Sequence, residues 1–357
     1  MTAPGEAISV RELEVPPLEP DSAYLKVTYS EVCGTDVHLQ DGKLSGVPYP
    51  IIPGHVSVGV VSEIRGTMRN VLGGTIREGE PATFLDVHGS CGHCWYCLVA
   101  KATTRCPSRR VYGITFGVDD GLAGGWSRYI YLRPGTKILP LGEIPPERFM
   151  AGGCSLPTAL HALDRAEIRL GDSVLVLGSG PVGLSAIALA RLSGAGRVLC
   201  IGAPTARLEN ATAMGADATL DFSTCEEDVR SEWVLNETNG RGADITIEAS
   251  GAPVAVAQAL RWTRDAGRVV VVGQYTDAGD TPINPHLEIN RKHLEIRGVW
   301  GCDFSHVQRS LDVLRRTESD CPWDRVRCDA YGLEQTNEAL AAVRSARVVK
   351  ALIDPWK

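Results

Sequence analysis

The clearest hydrophobic pattern in the chain lies between residues 174 and 192. Residues 174–177 are Val-Leu-Val-Leu, a continuous apolar run typical of a strand that is buried on both faces. Three closely spaced glycines follow the run. An apolar, alanine-rich segment then predicts a helix from about Val182 to Leu192. The pattern therefore predicts a buried parallel strand that leads through a glycine turn into a helix.

The glycines Gly178, Gly180 and Gly183 have the spacing G-x-G-x-x-G, with Pro181 and Val182 between the last two. In this motif the first glycine permits a tight turn, and the second lets the backbone approach a pyrophosphate. The third allows the helix to pack closely on the strand, and the positive helix N-terminus faces the phosphates. Glycine turns between strands and helices are common, so the motif needs a supporting context.

That context follows directly along the chain. Arg197–Ile201 predicts a second strand, and Ala206–Met214 predicts a second helix. Two further apolar runs, within 242–251 and 267–273, predict additional parallel strands that end in turns rich in small residues. This alternation of strands and helices indicates a dinucleotide-binding α/β domain.

The chain before this domain has a different pattern. Residues 8–30 alternate apolar and polar positions and include three prolines, which predicts short strands in a β-rich region. Two domains are compatible with a length of 357 residues.

Composition narrows the classes of partner. The chain is 44% hydrophobic and 22% charged, as in ordinary globular proteins, and its formal net charge is −7. We therefore expect neither a nucleic-acid partner nor an anionic membrane surface. No apolar run approaches the length of a membrane-spanning helix. The first 14 residues do not resemble a signal or transit peptide, so we expect a cytoplasmic protein.

The eleven cysteines are odd in number, and four of them fall within 16 residues. These four are Cys91, Cys94, Cys97 and Cys106, so two-residue gaps separate the first three. Such gaps let successive sulfurs turn towards one centre, and four thiolates make a closed tetrahedral zinc site. The pattern favours a structural zinc over disulfides. The alternative is a loop with unpaired cysteines.

Three other motifs have ordinary structural explanations when each is taken alone. Cys33, Thr35, Asp36 and His38 lie in the segment Cys-Gly-Thr-Asp-Val-His. The pair Gly54-His55 follows a proline-rich stretch. A third motif places Cys154 shortly before Pro-Thr-Ala-Leu-His-Ala.

In combination, the three motifs, the four-cysteine lobe and the glycine motif resemble the zinc-dependent alcohol dehydrogenases of the medium-chain dehydrogenase/reductase family. The resemblance covers about residues 13–355. It implies a GroES-like, β-rich catalytic domain over 1–155 and 300–357, and a Rossmann domain with a doubly wound parallel sheet over 156–299. It also implies a homodimer or homotetramer that acts on a small-molecule alcohol or carbonyl compound.

The resemblance further assigns roles around a catalytic zinc, which would be the second zinc of each chain. It makes Cys33, His55 and Cys154 the three protein ligands, a set that suits zinc and leaves a fourth position open. Thr35 matches a hydroxyl that relays the alcohol proton, and His38 matches the outer end of that relay. Asp36 matches a carboxylate that orients His55 through its other ring nitrogen.

Two features depart from the family pattern. The family usually has Gly-His-Glu, whereas this chain has Val56 after His55. The missing carboxylate lies behind the zinc in the family, so its loss is expected to change the charge balance of the metal. The family also begins with a full apolar strand, for which this chain offers only residues 7–10. We expect either a shortened sheet edge or a start that lies upstream.

The cofactor preference depends on the end of the second strand. NAD-binding relatives place an acid there to bind the adenosine ribose, and this chain has Gly202. The absence of a carboxylate, with Thr205 and Arg207 nearby, favours NADP slightly over NAD. Near the C-terminus, Lys350 lies in a segment that resembles the closing strand of the family, from which a basic side chain can reach the cofactor phosphates. Its alternative is an exposed lysine on an edge strand.

The predicted activity is reversible hydride transfer between an alcohol, of secondary or polyol type, and NAD(P), giving a ketone or an aldehyde. One alternative is a metal-independent NADPH reductase of the same fold that acts on enoyl or quinone substrates. Another is a non-enzymatic protein that binds zinc and nucleotide. The Cys-His-Cys set and the Thr35–His38 pair favour the dehydrogenase over both.

Overall fold

A computed structural model describes residues 1–357, apart from the side chain of Glu318. Its strands, numbered along the chain, are β1 (Ser22–Val32), β2 (Ser57–Arg65), β3 (Pro81–Phe84), β4 (Val87–His88), β5 (Arg110–Val111), β6 (Tyr129–Leu132), β7 (Ile138–Pro140), β8 (Ser173–Leu177), β9 (Arg197–Gly202), β10 (Ala218–Asp221), β11 (Ala243–Glu248), β12 (Thr263–Val271), β13 (Glu295–Gly298), β14 (Cys328–Tyr331) and β15 (Lys350–Ile353). Its α-helices are α1 (Gly34–Gln40), α2 (Trp95–Leu98), α3 (Pro146–Gly152), α4 (Ser155–Ala166), α5 (Pro181–Leu192), α6 (Thr205–Ala213), α7 (Glu227–Glu237), α8 (Pro253–Trp262), α9 (Phe304–Arg316) and α10 (Thr336–Arg344).

The chain divides into two compact units. Unit 1 contains Met1–Cys154, Asp303–Glu318 and Arg327–Lys357, and unit 2 contains Ser155–Cys302 and Ser319–Val326. The expected boundaries differ from this division near the C-terminus. Residues 300–302 and 319–326 cluster with unit 2, although we expected all of 300–357 in the catalytic domain. The physical reason lies in Trp323, which is fully buried and donates from its indole nitrogen to Ser185 Oγ at 3.3 Å.

Unit 1 is built on a seven-stranded sheet. Its strands follow the order β14-β15-β1-β2-β3-β7, and β6 pairs with β1. Long strand β1 is central because it pairs antiparallel with β2, β6 and β15. Alternate residues of β1, namely Ala23, Leu25 and Val27, enter the apolar core, as the period of two requires.

The N-terminal region is less regular than the alternation of residues 8–30 predicts. In the described chain the first strand begins at Ser22, and residues 7–10 have no strand assignment. The backbone of Ile8 instead pairs with the side-chain amide of Asn337, at 2.9 and 2.8 Å. The prolines at positions 16, 17 and 20 lack backbone N–H groups and so disfavour pairing in a ladder.

Unit 2 contains a six-stranded parallel sheet with the order β10-β9-β8-β11-β12-β13. This is the doubly wound order, in which the chain reverses direction across the sheet at β8. The four apolar residues of β8 from Val174 to Leu177 are all buried, in agreement with the continuous apolar run. Strand β9 and helices α5 and α6 agree with their predicted positions to within one residue at each end. The predicted fold class is confirmed.

Candidate functional site

Cys33, His55 and Cys154 converge in unit 1. One ligand atom from each lies within 4.8 Å of the other two, and Cys33 Sγ is 3.9 Å from His55 Nε2. A tetrahedral zinc with sulfur and nitrogen ligands holds neighbouring donor atoms about 3.3–3.8 Å apart. The three side chains therefore fit a zinc ion, and they leave a fourth coordination position.

Local structure explains how Cys33 is presented. It directly follows β1 and caps the N-terminus of α1, where its sulfur accepts from the N–H of Thr35 at 3.3 Å. Its own N–H donates to Asp36 Oδ2 at 2.9 Å, which completes a capping box. Both the sulfur and the carboxylate are thus held by the first turn of the helix.

Glycines determine the position of His55. Gly54 has φ = +92°, and a Cβ there would lie 2.5 Å from both Ser30 Oγ and Trp126 Cδ1. Gly113 passes so close that its own Cβ would lie 2.7 Å from the backbone nitrogen of His55. Only glycine fits these two positions, because a positive φ and a close approach coincide. The imidazole is consequently buried, with 6% exposure.

The protonation equilibria of the three residues favour a cation at this point. A hydrogen bond from Cys154 lowers the pKa of Cys33 well below its ordinary value, and the same contact raises the pKa of Cys154. Burial by itself would lower the pKa of His55. The negative charges of Cys33, Asp36 and Asp86 outweigh this effect and raise the pKa to about 10. The pKa shifts of Cys33 and His55 both favour the charged form of Cys33 next to a positive charge, which a zinc ion would supply when bound there.

Asp36 is buried next to this cluster, and burial raises its pKa. The hydrogen bond that we expected between Asp36 and His55 is not formed. Asp36 Oδ1 and His55 Nδ1 are both buried, and each lacks a hydrogen-bond partner in the described part of the chain. The charge of Asp36 contributes to the raised pKa of His55, while its Oδ2 caps Cys33.

Thr35 and His38 lie one helical turn apart on α1, which places them on the same face of the helix. His38 is half-buried, and this burial lowers its pKa, so that the imidazole is neutral at neutral pH. Helix α1 therefore carries a candidate ligand, a hydroxyl and an imidazole within its first five residues and N-cap.

The four-cysteine lobe forms a second cluster in unit 1. Single ligand atoms of Cys91, Cys94, Cys97 and Cys106 all lie within 4.8 Å of one another, and the sulfurs of Cys94 and Cys106 are 3.9 Å apart. Backbone N–H groups of Cys91 and Cys94 point at sulfurs of the cluster at 3.3 Å. Four sulfurs with this spacing fit a closed tetrahedral zinc site.

The glycine motif of unit 2 has the geometry that a dinucleotide needs. Gly178 turns the chain with φ = +116°, and a Cβ on Gly183 would lie 1.9 Å from the carbonyl oxygen of Gly178. Gly180 differs, because a Cβ there would meet no atom within 4 Å. Gly180 caps α5, whose first residues are Pro181 and Val182. The open space therefore lies at a helix N-terminus, where a pyrophosphate fits.

The residues that we expected to contact the adenosine ribose lie at the end of β9 and at the start of α6. A Cβ on Gly202 would lie 2.5 Å from Ser179 Oγ, so the glycine motif itself occupies the space of a side chain. Thr205 begins α6, and its hydroxyl donates to Asp221 Oδ2 at 2.7 Å. Arg207 lies one turn into α6, and burial lowers the pKa of its guanidinium.

Asp221 was missed by the sequence argument. It ends β10, and in the parallel ladder it lies directly beside Gly202. Hydrogen bonds from Ser223 and Thr205 lower its pKa, so the carboxylate is ionised at neutral pH. The sequence feature that could have identified Asp221 is an acid at the end of the third strand of the domain.

Glu248 was also missed, although it ends β11 in a run that we expected to be a strand. Its buried carboxylate accepts from the backbone of Ser250 and Gly251, at 2.7 and 2.9 Å, and from Gly273 at 3.2 Å. One side chain thus ties together the turns that follow β11 and β12. The sequence feature that could have identified Glu248 is an acid at the end of a predicted strand.

Lys350 does not lie where we expected it. The prediction gave it a role at the cofactor phosphates, or alternatively an exposed position on an edge strand. In the structure it is 1% exposed and forms an ion pair with Glu31, which is fully buried. Strand β15 lies between β14 and β1, so neither expected environment is present.

The part of the chain that the structure describes has no helix with the length and apolar character needed to cross a membrane.

Comparisons with known proteins agree with the fold. Residues 19–143 match the family described as "Alcohol dehydrogenase GroES-like domain", and residues 181–316 match "Zinc-binding dehydrogenase". The chain is 28% identical to a 5-exo-hydroxycamphor dehydrogenase of Pseudomonas putida, covering 97% of this chain and 95% of that protein. It is 32% identical to an L-threonine 3-dehydrogenase of Pyrococcus horikoshii, covering 98% and 96%.

Among solved structures, an alcohol dehydrogenase from Thermotoga maritima superposes with a TM-score of 0.93 at 29% identity, covering 99% of this chain and 97% of that one. Both kinds of relative extend over almost the whole length, and both domain families are matched in order. The chain therefore belongs to the medium-chain dehydrogenase/reductase family, among its zinc-type alcohol dehydrogenases.

Proposed function

We propose that the chain is a zinc-dependent dehydrogenase that interconverts an alcohol with its ketone or aldehyde, using a nicotinamide dinucleotide. One observation carries the proposal. Two cysteines and a histidine converge with three donor atoms and leave one position open, next to the hydroxyl and imidazole of α1. A metal-independent reductase or a structural protein has no need of this combination.

The zinc, when bound by Cys33, His55 and Cys154, supplies a Lewis acid that lowers the pKa of an alcohol and polarises a carbonyl oxygen. The chain's own residues supply the path for the proton. We propose that Thr35 Oγ1 accepts the hydroxyl proton of the substrate, and that the His38 imidazole passes it towards solvent. The second cluster, from Cys91 to Cys106, offers no open position and would hold a structural zinc.

The substrate that we propose is a secondary or polyol-type alcohol. The relatives named for hydroxycamphor and for threonine support this class, because both names denote hydroxylated small molecules. We further propose that the chain assembles as a homodimer or homotetramer.

The cofactor that we propose to be preferred is NAD. In the sequence, the absence of a carboxylate around Gly202 favoured NADP. Asp221 supplies one from the neighbouring strand, hydrogen-bonded to Thr205 at 2.7 Å. An ionised carboxylate at this place repels a 2′-phosphate and can accept hydrogen bonds from a ribose. Pro181, Val182 and the three glycines would hold the pyrophosphate of either cofactor.

Metal content of the purified protein, measured by mass spectrometry, tests the proposal together with turnover of an alcohol panel with NAD and NADP. We expect two zinc ions per chain, falling to one in Cys154→Ala with loss of turnover. Cys225→Ala, which changes a cysteine outside both clusters, should keep two. A single zinc that survives Cys154→Ala would refute the metal-dependent mechanism and favour a metal-free reductase or a non-enzymatic role.

A further inference from the structure

A buried ion pair lies against the candidate catalytic metal site. The ammonium of Lys350 on β15 contacts Glu31 Oε1 on β1, and it also donates to the carbonyl oxygen of Gly152 at 3.3 Å. Strands β1 and β15 are paired, with Glu31 opposite Leu352. Each of these buried charges is stabilised by the other, and the loss of either would leave an unpaired buried charge, which is strongly unfavourable.

The carboxylate of this pair also holds the third candidate ligand. Glu31 Oε2 accepts from the backbone N–H of Cys154 at 2.7 Å, and the Cys154 thiol lies 3.5 Å from Oε1. The preceding residue, Gly153, has φ = +46°, and a Cβ there would lie 2.2 Å from Glu31 Oε2 and 2.8 Å from Lys350 Nζ. The loop therefore approaches the ion pair as closely as a backbone can, and only glycine permits this.

The same carboxylate lies next to the place where this chain departs from its family. The backbone N–H of Glu31 donates to the carbonyl oxygen of Val56 at 2.9 Å, so the two residues are neighbours across β1 and the segment that leads into β2. Val56 occupies the position after His55 at which the family pattern has a glutamate. The chain thus lacks an acid at position 56 and has a buried acid beside it.

We propose that Glu31, with Lys350 as its counter-ion, replaces the acid missing at position 56 and is the positioning residue of the catalytic metal site. The proposal rests on the proposed zinc site. Glu31 acts through Cys154, because it accepts from the backbone N–H of that residue and so holds the loop that presents the sulfur. It also balances the charge of Lys350, which would otherwise repel a divalent cation from the buried cluster. Outer-shell groups of this kind change metal affinity by about 10–100-fold.

The experiment measures zinc transfer to a chelator, together with the visible spectrum of the cobalt-substituted protein. In Glu31→Gln we expect the four-cysteine zinc to remain and the other zinc to dissociate about 10–100-fold faster. The d–d bands of cobalt at the three-ligand site should shift, which a distant structural effect would not cause. Glu31→Gln combined with Val56→Glu should restore zinc retention, since the carboxylate returns from the neighbouring segment.

A second variant covers the case in which Glu31→Gln does not fold. Glu31→Leu combined with Lys350→Met replaces the ion pair by apolar side chains, a change that proteins often tolerate. Faster zinc loss in this folded variant supports the proposal. Zinc dissociation and a cobalt spectrum equal to those of the wild type would overturn it, as would failure of Val56→Glu to restore retention. A wild-type protein that binds only one zinc would instead refute the proposed function itself.

Discussion

Gly180 and Gly183 belong to one motif, yet the structure predicts opposite consequences for the same substitution. Gly180→Ala places a methyl group in open space, with no atom within 4 Å and with φ = −76°, which any residue adopts. Gly183→Ala places it 1.9 Å from the carbonyl oxygen of Gly178, which belongs to rigid backbone. The first change should affect the cofactor, whereas the second should affect the fold.

The change in the free energy of unfolding can be estimated for each. Alanine at the helix cap of Gly180 costs about 1 kcal/mol, and the reduced entropy of the unfolded chain offsets about 0.4–1 kcal/mol of it. The net effect is less than about 1 kcal/mol. At Gly183 the helix must move away from β8, and overpacking of this kind costs about 3 kcal/mol. For a domain of this size, that corresponds to a midpoint about 6–12 °C lower.

For cofactor affinity we expect the opposite order, with the larger effect in Gly180→Ala. A methyl group at Gly180 keeps the pyrophosphate from the N–H groups at the start of α5, and each charge-assisted hydrogen bond is worth about 1.5–3 kcal/mol. The dissociation constant of Gly180→Ala should therefore rise by about 10–100-fold. Thermal unfolding without cofactor measures the first effect, and fluorescence titration with NADH measures the second.

Two results would refute this reasoning. If Gly180→Ala bound NADH as tightly as the wild type, the open space at the N-terminus of α5 would not be the pyrophosphate site. If Gly183→Ala unfolded at the wild-type temperature, the close approach of helix and strand would not determine the stability of this unit.

Three further predictions concern the cofactor, the lobe and a helix cap. Asp221→Asn should raise the ratio of kcat/KM for NADP to that for NAD by about 3–10-fold, since a repulsion of about 1 kcal/mol is removed; an unchanged ratio in steady-state kinetics would exclude Asp221 from cofactor selection. Cys94→Ser should lower the zinc content from two to one while Cys225→Ser keeps two, and equal zinc loss from both variants would argue against the lobe as a metal site. Asp303 caps α9 through Ser305 and His306, and its hydrogen bond to His306 lowers its pKa. Asp303→Ala should therefore cost about 1 kcal/mol at neutral pH. A group with a lowered pKa stabilises the fold above its unfolded value of about 3.9 and loses this effect as the pH falls. The difference between variant and wild type in denaturant unfolding should accordingly shrink below about pH 4, and a constant difference would contradict the assignment.

Unit 2 was the more predictable half of the fold. The continuous apolar run of β8 and the glycine spacing identify strand, turn and helix together, because a strand buried on both faces leaves no polar positions. Unit 1 was less predictable at its start. Alternation over residues 8–30 predicts strands, but pairing begins only at Ser22, and the backbone of Ile8 finds a side-chain partner 329 positions away. A contact between residues so far apart in the chain produces no local sequence pattern from which it could be predicted.

The sequence by itself determined which residues are suited to bind metal and dinucleotide. Spacing determines that the four cysteines of the lobe can turn towards one centre. Residue type makes Cys33, His55 and Cys154 suited to bind zinc, and the resemblance to a family singles them out. These properties are local, or they belong to the side chain itself. They therefore appear in the sequence whatever the rest of the chain does.

Only the tertiary structure decided how charge is placed around those sites. Glu31 and Lys350 are 319 residues apart, and the pairing of β1 with β15 brings them together behind Cys154. Asp221 reaches Gly202 because β10 and β9 are neighbours in the sheet. The energy of a charge depends on the distance to its partner and on the exclusion of water, and strand pairing fixes both.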